Sequence, residues 1–385
     1  MKEFSKETGE MFEYAIKTEN KMLFDTLAEQ FCKDSQKLKN KLLLLTAEKA
    51  KIPAFVERAI ELGGDISYTD ENWNTLLHHA AASCHPNVVQ FFIDKGLSLE
   101  ARNKRGSTPL IAAASASCSL KVIKKLLKAG ADINAKTAFG ESVLIMAAKN
   151  NPYAEITRFF IQQGLSVKDR DNYGYTPFLN AAMDQKNTDV LDSLVNAGSD
   201  IHERAPNGDT AFHLAAMNWD PSPAEWLKKY FSTSEKNNDG ETCLERALSK
   251  AGSGRTLSVY LKKMQLEHLM LAYRNTGYGV FEALKKAGYD LNLRDENGAT
   301  ALMHAAKESQ AACVVELMDQ GADEHYRDDK NRNVLHYAAA NTDRQVYEMT
   351  NMFLNAKDIA KAKDCLGHTP DYYLTHKEEF EEFNS

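Results

Sequence analysis

The chain predicts an all-α solenoid of stacked helix pairs, on three observations. A glycine-led ending recurs: Lys128-Ala129-Gly130-Ala131-Asp132-Ile133-Asn134 returns as Asn196-Ala197-Gly198-Ser199-Asp200-Ile201-His202, with weaker copies at Gly63, Gly96, Gly164, Gly288 and Gly321. From 63 to 198, and again from 288 to 321, successive glycines lie 33 or 34 residues apart. A hydroxyl or amide slot keeps the same beat at Thr75, Thr108, Ser142, Thr176, Thr210 and Thr242, then at Thr300, Asn333 and Thr369. Between slots the apolar residues fall at helical spacing, as in Val122, Ile123, Leu126 and Leu127. A short fixed period means one helix pair per unit, stable only when stacked on its neighbours.

Each element of a unit has a local cause. Thr108 caps a first helix by accepting from an orphan backbone N–H. Pro109 follows at the first helical position, where a missing N–H costs nothing. Ile111-Ala112-Ala113-Ala114 is small enough for close packing, and the second helix carries the Val122–Leu127 face. Gly130 then ends it in a left-handed conformation.

Thr-Pro-Leu at 108–110, Thr-Pro-Phe at 176–178, Thr-Ala-Phe-His at 210–213 and the Gly-Ala-Asp-Ile-Asn endings resemble the ankyrin repeat. The resemblance covers about residues 40 to 370 and implies an ankyrin-repeat solenoid of stacked helix pairs with short β-hairpin fingers, about ten to eleven repeats in all. A tetratricopeptide array shares the period but has neither signature. Turn-forming stretches such as Asp295-Glu296-Asn297-Gly298 would form the finger tips.

The beat divides the chain. Residues 1–40 read as an N-terminal helical cap or degenerate repeat, 41–240 as regular repeats and 241–297 as irregular, compressed repeats. Repeats resume over 298–366, and 367–385 form a C-terminal cap and polar tail. In the irregular stretch the Thr slots at 242 and 300 leave room for two units of about 29 residues, at least one without a finger. Leu257–Met264, Leu266–Tyr273 and Val280–Lys286 read as its helices.

The 385 residues are 43% apolar and 26% charged, ordinary for a globular chain, with a net charge of −7. That balance disfavours a nucleic-acid role, which needs a basic surplus. The longest apolar run, Val143–Ala148, is far short of a membrane span, and the first residues show no secretory h-region. Six scattered cysteines without a Cys-x-x-Cys pair suit separate thiols in a reducing compartment. A cytoplasmic monomer that binds no nucleic acid and inserts in no membrane is therefore expected, with delivery to another compartment or cell left open.

No constellation carries chemistry strongly. His78, His79, Cys84 and His85 crowd one unit, but His78, His213 and His336 fill the family's Thr-Pro-Leu-His position. There the resemblance implies a bond to backbone of the next unit. Cys84 and Cys118, at equivalent repeat positions, read as small buried hydrophobes. Ala251–Thr256 is glycine-rich but lacks the Gly-Lys-Ser/Thr ending of a phosphate loop. Glu381-Glu382 reads as solvated charge. No catalytic residue, metal site or cofactor is expected.

The resemblance implies a non-enzymatic scaffold that holds one or more partner proteins on its concave finger and inner-helix surface. The other reading is an array that recruits substrate for an unrecognised enzymatic activity. Register maps the partner-facing slots onto Trp73, Lys104, Arg105, Phe139, Tyr173 and Tyr175 on fingers. On first helices it gives Lys149, Met183 and Met217, with Trp219 just beyond.

Overall fold

The computed structural model describes residues 6–32, 35–116, 120–250 less its last residue, 254–260, 272, 279–308, 311–353 and 358–382. It is the expected helix-pair solenoid, in two compact units, Met1–Pro206 and Asn207–Ser385. The boundary falls inside the stretch that the sequence reads as regular.

The first unit opens with α1 (Lys6–Lys17) and α2 (Lys21–Phe31), over the stretch that the sequence reads as a helical cap or degenerate repeat. Pairs α3 (Gln36–Lys49) and α4 (Ala54–Glu61), α5 (Leu76–Ala82) and α6 (Pro86–Asp94), and α7 (Pro109–Ser115) and α8 (Leu120–Lys128) follow. Then come α9 (Val143–Asn150) with α10 (Ala154–Gln162), and α11 (Pro177–Asp184) with α12 (Thr188–Asn196). First helices α3, α5, α7, α9 and α11 pack in sequence as one layer, while α6 packs on α8 and α10 on α12. Their facing residues Leu77, Ala81, Leu110, Ala114, Leu144 and Ala148 are fully buried.

The slots cap as expected. Thr75, Thr108, Ser142, Thr176, Thr210 and Asn333 each accept from the backbone N–H three residues on. Thr242 does so within a Thr-x-x-Glu box, its own N–H donating to Glu245 Oε2 at 2.6 Å. Thr369 makes no such bond, and only a 3-10 helix, Pro370–Leu374, follows it. At the other end Gly130 takes φ +102°, and the Ala131 and Gly130 N–H groups close onto Leu126 and Leu127 carbonyls.

The second unit contains α13 (Ala211–Ala215), α14 (Ser222–Leu227), α15 (Cys243–Ser249), α16 (Gly254–Tyr260) and α17 (Val280–Lys286). After these come α18 (Ala301–Glu308), α19 (Ala311–Asp319), α20 (Val334–Ala340), α21 (Arg344–Phe353) and α22 (Lys377–Glu382). Among the described residues no finger lies between Glu241 and Arg294, and α16 packs directly on α17. The buried Tyr260 hydroxyl donates to the Phe212 carbonyl at 2.9 Å and Thr256 to that of Asn218 at 2.6 Å, anchoring α16 on the preceding repeat. The expected helix at 266–273, apart from position 272, and residues 251–253 of the glycine-rich stretch lie outside the described residues, while 254–256 belong to the first turn of α16.

Cys84 departs from the sequence reading. It is half-buried, takes φ +65° and is disulfide-bonded, with its partner outside the described residues. The expectation of a small buried hydrophobe and of six separate thiols fails there; Cys118 lies outside the described residues. Cys32, Cys243, Cys313 and Cys365 are free.

Candidate functional site: the finger row of the first unit

Each finger is a tight turn: Thr69 with Thr75 and Lys136 with Ser142 close two of them as antiparallel bridges, and the Asn103 and Asp171 N–H groups donate to the Ser107 and Tyr175 carbonyls in the others. Successive tips are stitched by single backbone hydrogen bonds. Lys104 N–H donates to the Asn72 carbonyl, Ala138 to Arg105 and Asn172 to Phe139, at 2.8–2.9 Å. The approach is close enough to require glycine: at Gly140, φ +76°, an added Cβ would sit 2.9 Å from the Asn172 nitrogen. Pro206 occupies the next position in register and has no N–H to donate to Tyr173, so the stitching stops at the end of the unit.

Behind the tips, the tip aspartate binds the first helix. Asp70 Oδ2 receives His79 Nε2 at 3.1 Å, and Asp171 Oδ2 receives Asn180 Nδ2 at 3.0 Å. Asp295 pairs with His304 in the same way, Asp328 with Tyr337 and Asp364 with Tyr373, always nine residues on. Burial would raise the Asp70 carboxyl, but bonds from Asn74 and Asn72 and the nearby His79 hold it below its ordinary range. Sequence reading missed this latch, whose only signal is the fixed spacing.

The stitched row sets exposed rings and cations on consecutive fingers. Trp73 is 61% exposed, with Lys104 Nζ 6.0 Å from its ring centroid. Arg105 Cζ lies 5.7 Å over Phe139, whose ring stacks on Tyr173 at 6.4 Å and 22°. Tyr173 is 62% exposed and Phe139 38%. Five of the ten predicted partner residues therefore lie together as a cation–aromatic run on the finger tips.

The other predicted residues stand apart. Tyr175 is half-buried behind its tip. Lys149 is held internally, 3.2 Å from the buried Glu141 and 3.7 Å from Asp184. Met183 is half-buried on α11. Met217 and Trp219 belong to the second unit, where Met217 is half-buried and Trp219 is 59% exposed.

Trp73 shows a local cost consistent with a role outside folding. Its φ of +62° replaces the glycine that other tips use, a conformation that costs an L residue roughly 1–2 kcal/mol. Trp73→Gly should therefore leave stability unchanged or raise it by up to ~1 kcal/mol, the glycine's own chain entropy offsetting part of the gain. A urea midpoint that falls instead would make the indole structural.

The histidine cluster is spent on structure. His78 Nε2 donates to the Ser107 carbonyl of the next unit at 2.9 Å while Nδ1 accepts from the Thr75 N–H at 3.1 Å. His213 and His336 reach the Glu241 and His368 carbonyls at 3.2 Å, as the resemblance implies. His85 Nε2 donates to the Glu48 carbonyl at 2.9 Å, and His79 lies between Glu48 and Asp70. Among the described residues no group of three or more ligating side chains could hold a metal. A cleft of about 390 Å³ lies between α10 and α12, lined by Arg158, Asp189 and Ser193. It is formed by second helices, away from the finger row. No described helix is long and apolar enough to cross a membrane.

Capped helix pairs, stitched fingers and inter-unit histidines define a repeat solenoid. A family model for ankyrin repeats matches residues 43–137, 120–205 and 269–364, and the chain belongs to the ankyrin-repeat family. No curated protein matches the chain in sequence. Ankyrin repeats are generally protein–protein interaction modules.

Proposed function

We propose that the chain is a non-enzymatic scaffold that captures a partner protein on the finger row of its first unit. Trp73, Lys104, Arg105, Phe139 and Tyr173 form the contact. The observation that carries this reading is the Arg105–Phe139–Tyr173 stack, which leaves two aromatic faces and a cation in water on a rigid, stitched backbone. Pre-aligned rings bind with little entropy to lose, and aromatic and arginine anchors dominate hot spots.

The test is Phe139→Ala with Tyr173→Ala. Both rings are solvent-facing, so the melting temperature should stay within about 2 °C of wild type. Partners are first identified by pull-down with wild type, and their affinities are then measured with the double variant. A loss of at least tenfold, about 1.4 kcal/mol, is expected. Unchanged affinity for every captured protein would place the partner surface elsewhere, and unfolding would make the stack structural.

A further inference from the structure

The chain's acidic end occupies a cage in the second unit. In α22, Lys377-Glu378-Glu379-Phe380-Glu381-Glu382, the Phe380 side chain is fully buried although its neighbours in sequence are charged. Its ring meets Tyr337 edge-on at 5.0 Å and Tyr373 at 5.2 Å. Arg332 Cζ lies 4.3 Å and Lys307 Nζ 5.5 Å from its centroid. The Arg332 guanidinium, 1% exposed, pairs with Asp328 at 2.7 Å, and the Tyr337 hydroxyl donates to the same carboxylate at 2.8 Å. The cage is thus built on three consecutive repeats.

Register shows which face this is. Lys307 holds the slot of Lys149, Arg332 that of Tyr175, and Tyr337 that of His79 and Asn180. These are positions on the first helices and just behind the finger tips, not the end of the stack that a terminal cap covers. The helix that fills them has six residues, too short to be stable alone. Among the described side chains, Lys377 Nζ donates to the Asn341 carbonyl, and Glu379 accepts from Tyr372 at 2.8 Å. Lifting Phe380 out returns water to a buried guanidinium, which lowers the cost of opening.

We infer that the Lys307–Arg332–Tyr337–Tyr373 cage is a docking pocket for the aromatic side chain of an acidic protein segment, held in cis by α22 until such a segment displaces it. The ring fills the aromatic walls beneath the Arg332 guanidinium, and flanking carboxylates meet Lys307. This pocket is independent of the finger row of the first unit.

The probe is a fluorescent peptide of residues 375–385, titrated into full-length wild type and full-length Phe380→Ala. Phe380→Ala should bind it at least tenfold more tightly than wild type, and a peptide with Ala in place of the Phe at position 380, its Phe at position 383 kept, should bind neither chain. In wild type, amides of 377–382 should exchange at least a hundredfold faster than those of α20. Equal peptide affinity for the two chains, no binding by a folded Phe380→Ala, or loss of its cooperative folding would each overturn the inference, the last by making Phe380 core. A concentration-dependent wild-type dimer abolished by Phe380→Ala would assign the cage to a second copy instead.

Discussion

His78→Ala should destabilise the first unit by about 2–4 kcal/mol, well beyond an ordinary surface change. The ring is 2% exposed and makes bonds at both nitrogens, to the Thr75 N–H and to the Ser107 carbonyl 29 residues away. Alanine keeps the helix but leaves a partly buried donor at the helix start and a buried acceptor on the next finger. Each unsatisfied group costs about 1–3 kcal/mol. The effect should be local as well as large. Stacked repeats are coupled mainly to nearest neighbours, so hydrogen exchange should speed up over residues 75–107 before α11 and α12 respond. A urea midpoint within experimental error of wild type would show that the histidine is dispensable for stacking.

Acid should weaken the second unit through His336. Burial is the main cause that lowers its pKa, to about 4 from the ordinary 6.5, with the carbonyl of His368 and nearby carboxylates opposing. The folded state thus prefers the neutral ring, and protons bind the unfolded chain more readily. Its contribution is complete above pH 6.5 and is lost as the pH falls from 6.5 towards 4. At about 1.4 kcal/mol per pH unit the loss reaches up to about 3 kcal/mol. His78 and His85 are lowered by burial too and act in the same direction in the first unit. The depressed carboxylates Asp70 and Asp364 lose their contribution at lower pH, below the ordinary carboxylate range. Urea midpoints from pH 7.5 to 4.5 check this. His336→Gln should be less stable at neutral pH but show a shallower slope, and an unchanged slope would assign the acid sensitivity to other groups.

Sequence alone determined the period, the capped helix starts, the glycine ends and the inter-unit histidines, because each is set by contacts a few residues away or with the start of the next repeat. Thr75, Gly130 and His78 behave as their positions require. The same register brought Phe139 and Tyr173 to consecutive fingers. Tertiary structure decided what register cannot carry: which side chains on one face are already spoken for. Lys149 and Tyr175 hold partner-facing slots, yet one is bound by Glu141 and Asp184 and the other is half-buried. Arg105 lies over a ring on the next finger, a pairing fixed by the distance between stacked tips. Phe380, read as part of a polar tail, is buried because the chain turns back after Pro370–Leu374 and sets one ring against residues up to 73 positions earlier. Periodicity reports the face on which a residue lies; only the packed chain decides what covers it.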